Sequence, residues 1–347
     1  MSPSPVSSAE TARLKEHTVG TVLILLLLSS GFLFVATTLS ARQSRQKVLR
    51  DNRANATSGC VATTLVARGT NEAMHCLSST LTSVDTTADG HMVEIPSQIG
   101  LLSRLTHLSF TGEYIQGTIP SEIGQLSGLR SLRIHNTQLT GGVPTELGRL
   151  TALTSLHITH NHNISTTKWW DAIGNAAPSI QTGMPTELGR LTLLRELSLA
   201  GNGLVGTSPY DLFSHLTSLT FLDVSNNALT GVLPRLPLSL KFLYIGRNQL
   251  SGRLALHTFP IPNLVALDAG NNLFTGLLPT QVSNMTDLEY LMLSSNNFAG
   301  TIPEAWGNLS NLQWLDLSNN TLLSGTIPGG IDRLDQMIHV EGTSITV

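Results

Sequence analysis

IPSEIGQLSGLRSLRIHNTQLTGG (residues 119–142), LPTQVSNMTDLEYLMLSSNNFAGT (278–301) and IPEAWGNLSNLQWLDLSNN (302–320) are copies of one pattern, which recurs from Ile95 to the end of the chain. A period of about 24 residues belongs to a solenoid rather than to a single globular core. Nine complete repeats start at Ile95, Ile119, Val143, Met184, Ser208, Leu233, Leu254, Leu278 and Ile302, and a partial tenth starts at Ile327. Inside each, an LxL alternation predicts a short strand with one buried face. Stacked coils then form a parallel sheet, and their leucines share one core, because one coil cannot bury its own apolar face. The expected class is an α/β solenoid whose long concave face serves recognition.

The other recurring residues have mechanical reasons. Asn202, Asn227, Asn248, Asn272, Asn296 and Asn320 fall where the chain leaves the strand. An amide side chain there can pair backbone groups that no strand partner reaches. The glycine of each copy permits a turn that a Cβ would hinder, and the proline sets φ at the next bend. The half written GxIPxxLGxL, as in Gly300-Thr301-Ile302-Pro303, resembles the plant-type class of leucine-rich repeats. The resemblance spans residues 95–347 and implies a right-handed superhelix. It also implies a parallel sheet on the concave face, a second short strand per coil and 3₁₀ turns outside. The class includes receptor-like kinases, receptor-like proteins and secreted polygalacturonase inhibitors, and resemblance alone does not choose among them.

Before the repeats the chain changes character. Residues 1–18 are rich in Ser, Pro and Ala and read as a disordered tail. Residues 19–39 (VGTVLILLLLSSGFLFVATTL) carry no charge and, as a helix, span roughly 31 Å, about one bilayer core. No good cleavage site follows, so the segment reads as an uncleaved transmembrane signal anchor. Residues 40–59 form a basic linker holding Arg42, Arg45, Lys47, Arg50 and Arg53, and residues 60–94 form an N-terminal cap. The basic flank argues for repeats in the cytosol. The resemblance argues the opposite, since plant-type ectodomains carry a paired-cysteine cap and Cys60 and Cys76 stand there as a candidate disulfide. The expectation follows the cysteines, with repeats outside or in a lumen. Asn55, Asn163, Asn284, Asn308 and Asn319 fit the glycosylation acceptor pattern, which permits that side without arguing for it.

Residues flanking the inward leucines face the concave side. One row reads Ser109, Arg133, His157, Ser198, Asp223, Tyr244, Asp268, Met292, Asp316; another includes Glu196, Phe221, Phe242, Ala266, Tyr290 and Trp314. The N-terminal coils offer His and Arg, the C-terminal coils Asp and aromatics. Phe221, Phe242, Tyr244, Tyr290 and Trp314 are expected to make an exposed aromatic strip beside Asp223, Asp268 and Asp316, suited to a peptide, protein or glycan. An insertion near residues 163–182 carries Trp169 and Trp170 as further candidate contacts. His135, His157, His160 and His162 lack the carboxylates or thiolates of a metal set and suit a pH-sensitive or solvated patch.

Charged residues make up 12 % of the chain and the net charge is −3, so nothing points to nucleic acid. No nucleophile elbow, phosphate loop, zinc signature or kinase motif is present, and no cofactor or enzymatic activity is expected. The reading is a membrane-anchored, receptor-like binding protein that needs a co-receptor, such as a kinase, to signal. The alternatives are a secreted inhibitor-like binder and a membrane-tethered scaffold facing the cytosol.

Overall fold

The computed structural model describes residues 82–87, 92–161, 183–208, 211–256 and 261–346, all within the unit Ala62–Val347. Residues 19–39, both cysteines, Asn55, Asn163, His162, Trp169 and Trp170 lie outside them. Among the described residues, no helix is long and apolar enough to cross a membrane.

One strand per coil joins an 11-stranded sheet that runs in chain order and is parallel throughout. Nine of its strands, from His107–Thr111 to Trp314–Asp316, carry the LxL alternation. Two more lie at the ends. Ser83–Thr87 pairs in register with His107–Thr111, so the segment read only as a cap supplies a sheet strand, with Val84 buried as its inward residue. At the other end Ile338–His339 pairs with Leu315 and Asp316. Short strands that follow the main strands form further parallel sheets of seven and three strands, the second short strand implied by the family resemblance. The return path contains 3₁₀ turns such as Ser121–Gln125 and Thr145–Arg149, each preceded by the pattern's proline.

The core is a stack of identical positions. Leu132, Leu156, Leu197, Leu222, Leu243, Leu267, Leu291 and Leu315 are fully buried on successive strands. Such a row buries apolar area at each interface between coils, about 25 cal/mol per Å² removed from water. Two larger residues extend the theme. Phe274 and Phe298 stack with centroids 6.3 Å apart, and Trp306 is buried with Nε1 donating to the Pro279 carbonyl at 3.1 Å. The glycine of the 3₁₀ turn is obligatory for packing: a Cβ on Gly124 would stand 2.6 Å from the Glu146 carbonyl oxygen of the next coil.

One coil breaks the apolar row at the position before the proline. Where its neighbours carry Met184 and Leu233, it carries Ser208. The Ser208 hydroxyl has no hydrogen-bond partner among the described residues, and the residue lines an apolar void of about 10 Å³ with Phe213, Leu222 and Val224. That is at most one water's worth of space, and the wall offers a water no other polar group. Ser208→Val is therefore expected to raise the urea midpoint at unchanged m-value, a gain of about 1 kcal/mol from filled space and a removed unpaired hydroxyl. A lowered midpoint would show that the serine is satisfied in solution.

Candidate functional site: the concave sheet

Strand pairing places the predicted row in register from Ser109 through Arg133, His157, Ser198, Asp223, Tyr244, Asp268 and Met292 to Asp316. It continues to His339, which the sequence reading did not include. The second row pairs Phe221 with Phe242, and Tyr290 with Ala266 and Trp314.

The expected strip of exposed aromatics is narrower than the sequence suggested. Phe221, Phe242, Tyr244 and Trp314 are half-buried, whereas Tyr290 is only 5 % exposed. Its neighbour on one side is the small Ala266, which leaves room for the ring to lie down. Its hydroxyl donates to Gln313 Oε1 at 3.0 Å. Phe221 is the hub of what remains: His157 stacks on it at 6.5 Å and 17°, Tyr244 lies 5.7 Å away and Phe242 6.3 Å. At the far end Trp314 lies 4.4 Å from His339, and Trp314 Nε1 and His339 Nε2 are buried with no hydrogen-bond partner among the described residues.

The carboxylates have an internal task. Asp223 Oδ1 accepts from the Ser225 amide at 3.0 Å and hydroxyl at 2.7 Å, and Asp316 does the same with Ser318. Asp268 Oδ1 accepts from the Gly270 amide at 2.9 Å. Each is an Asx-type turn that closes its own coil. Asp223 is also only 3 % exposed, which corrects the expectation that it lies open beside the aromatics. Burial pushes its carboxyl up. Burial likewise pushes Asp268 up, to about 6, with the Asp223 and Asp316 carboxylates adding to the rise. Burial and then the flanking Asp223 and Asp268 carboxylates raise the Tyr244 phenol.

The N-terminal coils carry the opposite chemistry. Glu196 Oε2 meets His157 Nε2 at 3.1 Å and accepts from the Ser155 hydroxyl at 3.0 Å. The His157 hydrogen bond is the main reason that the Glu196 carboxyl is held below the usual range. His135 lies edge-on to His160 at 5.5 Å and is lowered to about 4, first by burial and then by the charges of His160 and Arg133. Arg133 makes no ion pair among the described residues. No group of three or more His, Cys, Asp or Glu could hold a metal ion among them. The candidate glycosylation residues Asn284, Asn308 and Asn319 are exposed.

Profiles described as leucine-rich repeat match residues 218–237, 262–322 and 311–334. The chain is a leucine-rich repeat protein of the plant type. No curated protein sequence matches it. It is similar to the TDR receptor structure at 27 % identity and TM-score 0.68, over 78 % of this chain and 45 % of that one. It is also similar to the Arabidopsis receptor kinase HAESA, solved in complex with the peptide hormone IDA and the co-receptor SERK1. That match has 28 % identity and TM-score 0.56, over 76 % of this chain and 46 % of that one. A plant ice-binding protein matches at 27 % identity and TM-score 0.57, over 73 % of this chain and 77 % of that one. The leucine-rich repeat chain thus spans less than half the length of the two receptors. Because receptors and an ice-binding protein share this fold, the ligand has to be argued from the concave face itself.

The charge pattern has a measurable consequence. A folded-state carboxyl raised to about 6 binds protons that the unfolded chain, at 3.8, releases, so Asp268 opposes folding as pH rises through that window. Asp268→Asn keeps an oxygen for the Gly270 amide and removes the charge. The variant should be more stable than wild type near pH 7.5, on the order of 1–2 kcal/mol, and equal to it below about pH 4. Denaturation at both pH values checks this; a difference that does not change with pH excludes the carboxylate's ionisation as its source.

Proposed function

We propose that the concave sheet of this chain binds a peptide segment of a partner. The observation that carries the proposal is the row of half-buried aromatics, Phe221, Phe242, Tyr244 and Trp314, on an otherwise polar open sheet. Aromatic side chains left partly uncovered on a polar sheet are what a recognition surface offers a partner segment. The similarity to a receptor solved with a peptide hormone supports this choice over a glycan. A broad, shallow sheet also excludes water poorly, which suits binding better than catalysis.

Selection of a random ten-residue peptide library against the full chain tests the reading. A convergent family of peptides is expected. Its members should bind at least tenfold more weakly to a Phe221→Ser, Phe242→Ser variant whose melting temperature stays within a few degrees of wild type. A pool that never converges beyond that of an unrelated protein would sink the reading.

In the same proposal, residues 19–39 anchor the chain in a membrane with the repeats outside or in a lumen, and signalling passes through a co-receptor. Candidate contacts Trp169 and Trp170 and the Cys60–Cys76 disulfide belong to it. With an epitope tag after Val347, sealed microsomes should protect the tag from protease. Digestion of the tag instead places the repeats in the cytosol and removes the disulfide and glycans from the scheme.

A further inference from the structure

The concave face is chemically polarised along the stacking direction, and the polarity has a fixed length scale. Arg133 stands on the strand Ser131–His135, and Phe221 stands on Phe221–Asp223, three strand steps away through Ser155–Thr159 and Glu196–Ser198. At about 4.8 Å per step this is roughly 14 Å, which an extended chain covers in about four residues. From Phe221 to the strand of Asp268 there are two more steps, roughly 10 Å or about three residues.

Each of the three stations lacks something that a ligand can supply. Arg133 is partly exposed and makes no ion pair or hydrogen bond among the described residues; the nearby Glu196 is already held by His157 and Ser155. Beside Arg133, His157 is the next residue of the same row. Phe221, Phe242 and Tyr244 present ring surface that no side chain of the fold covers completely. Among the described residues Asp268 accepts one hydrogen bond, from the Gly270 amide, and has no ion-pair partner, the Arg247 charge acting on it from beyond that distance.

We infer that the peptide-binding strip selects an extended segment carrying a carboxylate at Arg133, a large apolar side chain about four residues away over Phe221, Phe242 and Tyr244, and a basic residue about three further on at Asp268. The inference rests on the peptide-binding reading above and adds polarity and spacing to it. Its electrostatic logic is complementarity. An acid placed at the C-terminal coils would meet the Asp268 and Asp316 carboxylates, and a base placed at the N-terminal coils would meet Arg133. A peptide bound in the reverse sense is therefore disfavoured at both ends.

The experiment sequences the peptides retained by the full chain from a random ten-residue library, then measures one retained peptide in a double-mutant cycle. The retained family should hold an acidic residue four, give or take one, from a Phe, Tyr, Trp or Leu, with Lys or Arg beyond it. Arg133→Gln should weaken the parent peptide at least tenfold. The same change should have less than a twofold effect on a peptide whose acid is replaced by Ala. Selection against Arg133→Glu should replace the acid by Lys or Arg at that position. Because Arg133 has no ion-pair or hydrogen-bond partner among the described residues, its variants should melt with the wild type, so lost binding cannot be assigned to unfolding. A convergent family without the acid–apolar spacing, or a cycle without coupling, overturns the polarity and leaves peptide binding standing. Failure of any family to converge removes peptide binding and this inference together.

Discussion

Each coil has to turn inside a dry core, and a buried asparagine at the end of each strand makes that turn possible. Asn296 is representative. Its Nδ2 donates to the carbonyls of Ala269 in the previous coil and of Leu293 and Ser294 in its own, while its Oδ1 accepts from the Phe274 amide of the previous coil. Asn248, Asn272 and Asn320 repeat the arrangement. An aspartate would lack the donors and a leucine would lack both functions, leaving buried backbone groups unpaired at about 1–3 kcal/mol each. Because every such residue satisfies the coil before it as well as its own, no coil is complete without its successor, and stability belongs to the stack. The residue ahead of each asparagine carries the backbone strain. Asn226, Arg247, Asn271, Ser295 and Asn319 all sit at positive φ, a conformation L-residues hold only when the surroundings impose it.

The same need to turn controls what the concave face can display. In the coils of Asp223, Asp268 and Asp316 the row residue bends back to hold the amide two positions on, so part of its hydrogen-bonding capacity is spent within the coil. What faces outward in those coils is the residue two positions earlier: Phe221 and Trp314 in two of them. Where the row residue is not a carboxylate, as at His157 or Tyr244, the side chain is free to reach its neighbours. This division of labour explains why the hub of the site forms from Phe221, Phe242, Tyr244 and His157, with the carboxylates set beneath or beside it.

The repeat, its register and the two rows were readable because a leucine at fixed spacing can point only inward, and pairing then carries the row from coil to coil. Asn161 escaped the sequence reading although it follows Leu156 and Ile158 at the same spacing; the insertion directly behind it hid the pattern. It is fully buried and donates to the Ile134 carbonyl and to Asn202 Oδ1. One coil earlier Thr137 takes the place, with its amide and hydroxyl both donating to Asn161 Oδ1. Exposure was the less readable quantity. The outward position of Tyr290 follows from period, but its burial depends on the neighbour across the ladder being Ala266, and its polar end on the presence of Gln313. Likewise an Asp in LxDxS can be a ligand contact or a turn staple, and only the distance to the following amide distinguishes them.

Strand length changes at the same place as chemistry. The three coils whose row residues are Ser109, Arg133 and His157 have five-residue strands, whereas from Glu196–Ser198 to Trp314–Asp316 the strands have three. A five-residue strand has three outward positions, so the N-terminal coils present Ser131, Arg133 and His135, or Ser155, His157 and Thr159, as a broad polar shelf. A three-residue strand presents two, so the aromatic and acidic coils form a narrower track. The switch falls between Asn161 and Gly183, where the 163–182 insertion interrupts the array. The sheet therefore passes from a wide polar region that holds Arg133 to a narrow apolar and acidic one. Width and charge together give the surface a direction, which a uniform repeat array, identical at every coil, could not have.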